Sequence, residues 1–240
     1  MEHAINNQTS ARRQFLGTIA AGAAAIGLAT VAAPMQAAAG VFHADTPGDD
    51  PDHWFDQLKG KHKMVFDVPH PNDIFPFAWP KVFMLTNTAT SGPEKEKSVV
   101  VVFRHAGIGY AFEDRIWAKY KFGETYKIKD PATQNPADPA SGTNSLRNPF
   151  WMPKPGDFQV PGLGNVDIGI NQLQENGVMF CVCDVAMTVS SHVAATKMNA
   201  DPAEVKKDWM AGLLPGVQVV PSGVWAVGRA QEHGCHYCYV

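Results

Sequence analysis

Ser98-Val99-Val100-Val101-Val102-Phe103 is the stretch that decides the fold. A continuous β-branched run without alternation suits a strand buried on both faces, as in a parallel sheet covered by helices on each side. Two further runs read as core strands, Val178-Met179-Phe180-Cys181-Val182 and Val217-Gln218-Val219-Val220, the second interrupted only by Gln218. Lys63 to Val68 reads as a short strand, and Cys235 to Val240 as a final edge strand.

Helical segments separate these runs. Pro71 to Thr88 carries Phe75, Phe77, Trp79, Val82, Phe83 and Leu85, with Pro76 and Pro80 limiting where a helix can begin. Ile108 to Phe122 places Phe112, Ile116, Trp117 and Tyr120 at helical spacing, and Val166 to Asn176 also reads as helix. A helix is expected from Asp184 toward Lys197. Another follows Asp201, an N-cap with Pro202 at the first helical position. Ser222 is the N-cap expected for a last helix through Gln231, closed by Gly234. Strands alternating with helices predict an α/β fold, three layers α/β/α around a central, mostly parallel sheet.

The chain has 240 residues, 45% of them hydrophobic, and a formal net charge of -3. That balance argues against a nucleic-acid partner. Residues 1–39 read as a twin-arginine signal peptide. Arg12-Arg13 precede Phe15-Leu16, an Ala/Gly-rich apolar run extends to about Ala33, and small residues follow at Ala37-Ala38-Ala39. The run is about long enough to be a retained anchor, but its composition and its cleavage-like end favour removal. The expected destination is the periplasm or another exported location, with the twin-arginine translocase as a partner. Residues 40–62 read as a flexible lead-in and 63–240 as one domain, with a Pro/Asn/Gly-rich insertion at about 123–164.

In open α/β sheets, ligands collect beyond the carboxyl ends of the strands. That rule selects Arg104-His105, Cys183-Asp184 and Ser222-Gly223, which should lie near one another. Cys183 stands where a strand becomes a helix, and a helix N-terminus favours a thiolate. Cys181 lies within the apolar run and reads as core. His105 could orient or protonate a substrate, Arg104 could hold an anion, and Ser222 with Gly223 would offer hydroxyl and backbone donors. Cys235, His236 and Cys238 are soft or borderline ligands suited to copper or zinc, so a metal or metal cofactor is an alternative. If the segment is a regular strand, Cys235 and Cys238 point to opposite faces. No dinucleotide or P-loop fingerprint is present, so no nucleotide cofactor is expected.

Several segments carry a resemblance to the DsrE/DsrF-like proteins, specifically those with twin-arginine signals. They are Val99 to Ala106, Trp117 to Glu124, Gly177 to Cys183, and Leu214 to Val224 with Arg229-Ala230-Gln231 after it. The resemblance implies the three-layer α/β/α domain and assembly into homo-oligomers. Some relatives relay sulfur as a cysteine persulfide on a cysteine after the third core strand, the place of Cys183. The expectation is therefore an exported protein that binds or relays sulfur species, with small sulfur compounds or a sulfur-donor protein as partners. The insertion and the Cys-His-Tyr-Cys ending fall outside the resemblance.

Replacing Arg12 and Arg13 with lysines should trap the precursor in the cytoplasm. Cell fractionation checks this, and normal export through the general secretory route would refute the twin-arginine reading.

Overall fold

A computed structural model describes residues 50–91, 96–135, 138 and 141–240. The signal segment and residues 40–49 of the lead-in lie outside the described residues. A five-stranded sheet forms the centre, with β1 (His62–Val68), β2 (Lys97–Phe103), β5 (Val178–Cys183), β6 (Val217–Val220) and β7 (His236–Tyr239) in the order β6-β5-β2-β1-β7. All four pairings are parallel. The remaining strands, β3 (Gln159–Val160) and β4 (Gly164–Asn165), make a small antiparallel hairpin within the insertion. The α/β class and the parallel sheet expected from the valine run are both present.

The central strand shows why that run has no polar alternation. Every residue of β2 is buried. Val99, Val101 and Phe103 enter one hydrophobic cluster and Val100 and Val102 another, on the two faces of the sheet. Full burial of each such side chain is worth about 1.5–3 kcal/mol. Lys97 is buried at the strand's start, where its Nζ donates to the Met84 carbonyl at 3.1 Å and to Thr88.

The larger cluster is covered by α1 (Phe75–Ser91), α2 (Asp114–Tyr120), α3 (Phe122–Thr125), α4 (Ile170–Glu175), α5 (Asp184–Met198) and α6 (Pro202–Ala211). The smaller cluster is covered by α7 (Gly223–Glu232) and by a short 3-10 helix, Pro51–Gln57. The crossovers from β1 through β6 run in one direction across the sheet. The connection from β6 to β7 runs back over the whole sheet. With right-handed crossovers, that reversal puts α7 on the opposite face. Four inter-strand gaps span about 19 Å, and the 10 residues of α7 rise about 15 Å, so one helix with short connections suffices.

Several boundaries differ from the sequence reading. Pro51–Gln57, expected to belong to the lead-in, is packed: Phe55 is fully buried against Trp225, Trp54 and the His233 ring. Its start has a cap, with Asp50 accepting from the Asp52 N–H and Pro51 in the first turn. The helix expected over Ile108 to Phe122 is divided. A 3-10 helix covers His105–Ala111, Phe112 bridges to Leu213, and α2 begins only at Asp114. Gly107 and Gly109 permit this close packing. A Cβ on Gly107 would stand 2.1 Å from the Val68 carbonyl oxygen, and one on Gly109 would meet the Tyr126 ring at 2.7 Å. Pro80 lies inside α1 rather than at its start, and the helix expected over Val166 to Asn176 is shortened to Ile170–Glu175. Asp201 and Ser222 cap their helices as expected.

The insertion is anchored to the core. The fully buried Asn148 donates through Nδ2 to the carbonyls of Tyr110 and Phe112 at 2.8 and 2.9 Å. Phe150 stacks between Phe77 at 4.1 Å and Phe158 at 4.7 Å. The residues flanking β7 also enter the core, with Val240 and Cys235 both buried.

Phe55→Ala should destabilise the domain by about 3–5 kcal/mol, the usual cost of emptying a buried aromatic site. Denaturant unfolding with the slope held constant measures it. A change below about 1 kcal/mol would mean the 3-10 helix is not part of the cooperative core.

Candidate functional site

The chain reversal fixes where a ligand can sit. After β5 the chain turns into α5 on one face, and after the neighbouring β6 it turns into α7 on the other. Connections that leave adjacent strands toward opposite faces open a crevice between their carboxyl ends. Cys183 ends β5 and Ser222-Gly223 follow β6, so both stand at this crevice. Arg104 follows β2, the next strand.

Cys183 is the N-cap of α5. Its backbone is extended, and its Sγ accepts from the Ala186 N–H at 3.3 Å. The residue is 6% exposed. The thiol's pKa is raised rather than lowered, and burial is the largest cause. The backbone N–H groups of Ala186, Gly223 and Val185 pull it down, while the Asp184 charge pushes it up. This corrects the expectation that the helix start alone would make Cys183 ionise readily. Asp184 is itself mostly buried and is held by Lys206 at 2.8 Å, which also donates to Thr188. Cys181 is fully buried in the cluster under α7, as expected of core, and burial pushes its thiol far up.

Arg104 is fixed by a buried carboxylate. Its Nε donates to Asp67 Oδ1 at 2.6 Å and its Nη2 to Asp67 Oδ2 at 2.8 Å. Tyr237 on β7 donates its hydroxyl to the same Oδ2 at 2.9 Å. Asp67 is 2% exposed, whereas 27% of the Arg104 side chain is open. The Asp67 hydrogen bond holds the guanidinium more firmly protonated still. Gly223 lies directly against the Arg104 stem, since a Cβ there would sit 2.4 Å from Arg104 Cβ. Gly223 therefore touches the Arg104 stem, and its backbone N–H is also among the groups that pull the Cys183 thiol down.

The other expected residues divide. Ser222 caps α7, its Oγ accepting from the Trp225 N–H at 3.2 Å. His105 is exposed, takes a left-handed backbone with φ of 47°, and meets the His70 ring edge-on at 5.1 Å. A non-glycine residue in that region stores strain of order 1–3 kcal/mol, a feature common at functional edges. Cys235 packs into the cluster beneath α7, and its thiol is pushed up to about 11 by burial. Cys238 packs against the opposite cluster and His236 is exposed. Among the described residues, no group of three His, Cys, Asp or Glu side chains is arranged to hold a metal.

Sequence reasoning missed Asp67 and Tyr237. An acidic residue inside Met64-Val65-Phe66-Asp67-Val68 was the available signal for the first. Nothing local pointed to Tyr237, which is 170 positions from its partner. A scan against protein-family models finds no match to the chain, and a search of the curated proteins finds none either.

Gly223→Ala should force the Arg104 stem aside and destabilise the domain by about 1–3 kcal/mol, the range for overpacking. Thermal or denaturant unfolding checks it. Unchanged stability would mean that α7 does not sit tightly against Arg104.

Proposed function

We propose that this chain is an exported DsrE-like protein that binds or relays sulfane sulfur on Cys183. The observation that supports the reading is the Cys183 Sγ at the crevice where α5 and α7 begin, with backbone N–H groups from both helix starts turned toward it. Such donors stabilise the anionic sulfur of a thiolate or a persulfide. The sulfur reading is preferred over the metal reading because Cys235 and Cys238 belong to opposite faces of the edge strand.

The chemistry balances without a redox cofactor. The Cys183 thiolate attacks the outer sulfur of a donor, the donor's S–S bond breaks, and its electron pair leaves with the inner sulfur. Cys183 keeps the transferred atom as a persulfide, which a second thiolate can remove by the same displacement. Burial keeps the free thiol protonated at neutral pH, so uptake should accelerate as pH rises and more thiolate forms.

Incubating the native protein with a sulfane-sulfur donor should add one sulfur atom at Cys183, seen by peptide mass mapping. Cys183→Ala should abolish the adduct while leaving the domain folded. Labelling confined to Cys235 or Cys238, with Cys183 unmodified up to alkaline pH, would refute the reading.

A further inference from the structure

The adjacent strands β1 and β2 end in loops that are tied to each other. The Arg104 N–H donates to the Val68 carbonyl at 3.1 Å, and the Gly107 N–H donates to the Pro69 carbonyl at 3.1 Å. Gly107 lets the loops close this far, since a Cβ there would stand 2.1 Å from the Val68 oxygen. Each loop presents one histidine. His70 lies between Pro69 and Pro71, whose rings restrict the backbone on both sides of it. His105 holds a left-handed φ of 47°. Both residues are exposed, and their rings meet edge-on with centroids 5.1 Å apart. Neither ring makes a hydrogen bond among the described residues, so the ring nitrogens are uncommitted.

We infer that His70 and His105 form a two-histidine site for a divalent transition-metal ion of the zinc and copper class, at the carboxyl ends of β1 and β2. Imidazole nitrogen suits these metals. Two imidazoles bound to one such ion at about 2.0–2.1 Å, in about tetrahedral geometry, have their ring centroids about 5 Å apart. The observed separation matches, so closing on an ion needs side-chain rotation but no movement of either loop. The bonded loops set that spacing in advance, which lowers the ordering cost of binding. Packing of two exposed rings does not by itself account for His105, because glycine would hold the same backbone without strain. Arg104 does not oppose a cation freely, since its guanidinium is turned toward Asp67 and paired with it. Two protein ligands leave the other coordination positions to water or a small anion, which makes the site an open one. It shares no residue with the Cys235, His236 and Cys238 segment, and it does not depend on sulfur chemistry at Cys183.

Calorimetric titration of the full native chain with zinc chloride reads the site. Zinc should bind, and His70→Gln should weaken it at least about tenfold, since even groups behind the ligands are worth about 10–100-fold. His105→Asn should do the same, because asparagine tolerates the left-handed backbone but supplies no imidazole. Cys235→Ser with Cys238→Ser should leave the affinity unchanged. Circular dichroism checks that each variant is folded. Should His105→Asn fail to fold, His70→Gln carries the test alone, since it alters an exposed side chain on an ordinary backbone. Absence of zinc binding, native affinity in folded His70→Gln, or binding lost only with the two cysteines would overturn the inference.

Discussion

A strand buried on both faces has to be covered twice, and the architecture follows from covering β2 in that way. Helices placed by successive right-handed crossovers all fall on one face. The second face can be covered only if the chain reverses its direction of travel. It does so after β6, sending α7 beneath the sheet and ending in β7 beside β1. The crevice between the carboxyl ends of β5 and β6 is a by-product of that reversal. Two helix starts then meet there because β5 and β6 are neighbours in the sheet. The requirement to bury Val100 and Val102 thus fixes where the crevice at the carboxyl ends of the strands lies.

The parts of this arrangement that were legible in the sequence are those with local causes. The valine run, the caps at Asp201 and Ser222, and the strand-to-helix junction at Cys183 each depend on a few adjacent residues. The parts that were not legible depend on distant ones. Phe55 sits among Asp, Pro and His residues, and its burial comes from Trp225 and His233 near the other end of the chain. The division of the segment after β2 follows from glycines packed against Val68 and Tyr126 rather than from any break in apolar spacing. Asp67 is an acid within an apolar strand, and only its distant partners Arg104 and Tyr237 account for it. Two strands and the residue after a third contribute one group each to that network, and no local pattern encodes such a meeting.

A carboxylate as buried as Asp67 is costly. Taking it from water costs several kcal/mol even after relaxation, and a well-packed apolar residue in its place is often neutral or stabilising. Its two partners offset the cost: a two-point guanidinium contact and a phenol on the same oxygen as Nη2. The network does more than satisfy the carboxylate. It ties β7 to the sheet edge at the level of the crevice and fixes the guanidinium in one orientation. The arginine has thereby given up its side-chain entropy on folding.

The state of Cys183 shows two effects of similar kind competing at one atom. Charges at a helix start are each worth about 0.3–1 kcal/mol, more when partly buried, and two helix starts contribute here. Removing a thiolate from water can shift its ionisation by several units when burial is complete. With only 6% of the residue exposed, burial prevails and the thiol rests protonated. Asp184 adds to this, since an acid at the first helical position opposes a neighbouring anion even while paired with Lys206. The consequence is a thiol with donors in place for the anion but without the anion at rest. Whatever removes the burial or supplies a cation shifts the balance toward thiolate, because the opposing N–H groups are already in position and need no reorganisation. The ionisation of Cys183 is therefore set more by its burial than by the helix start.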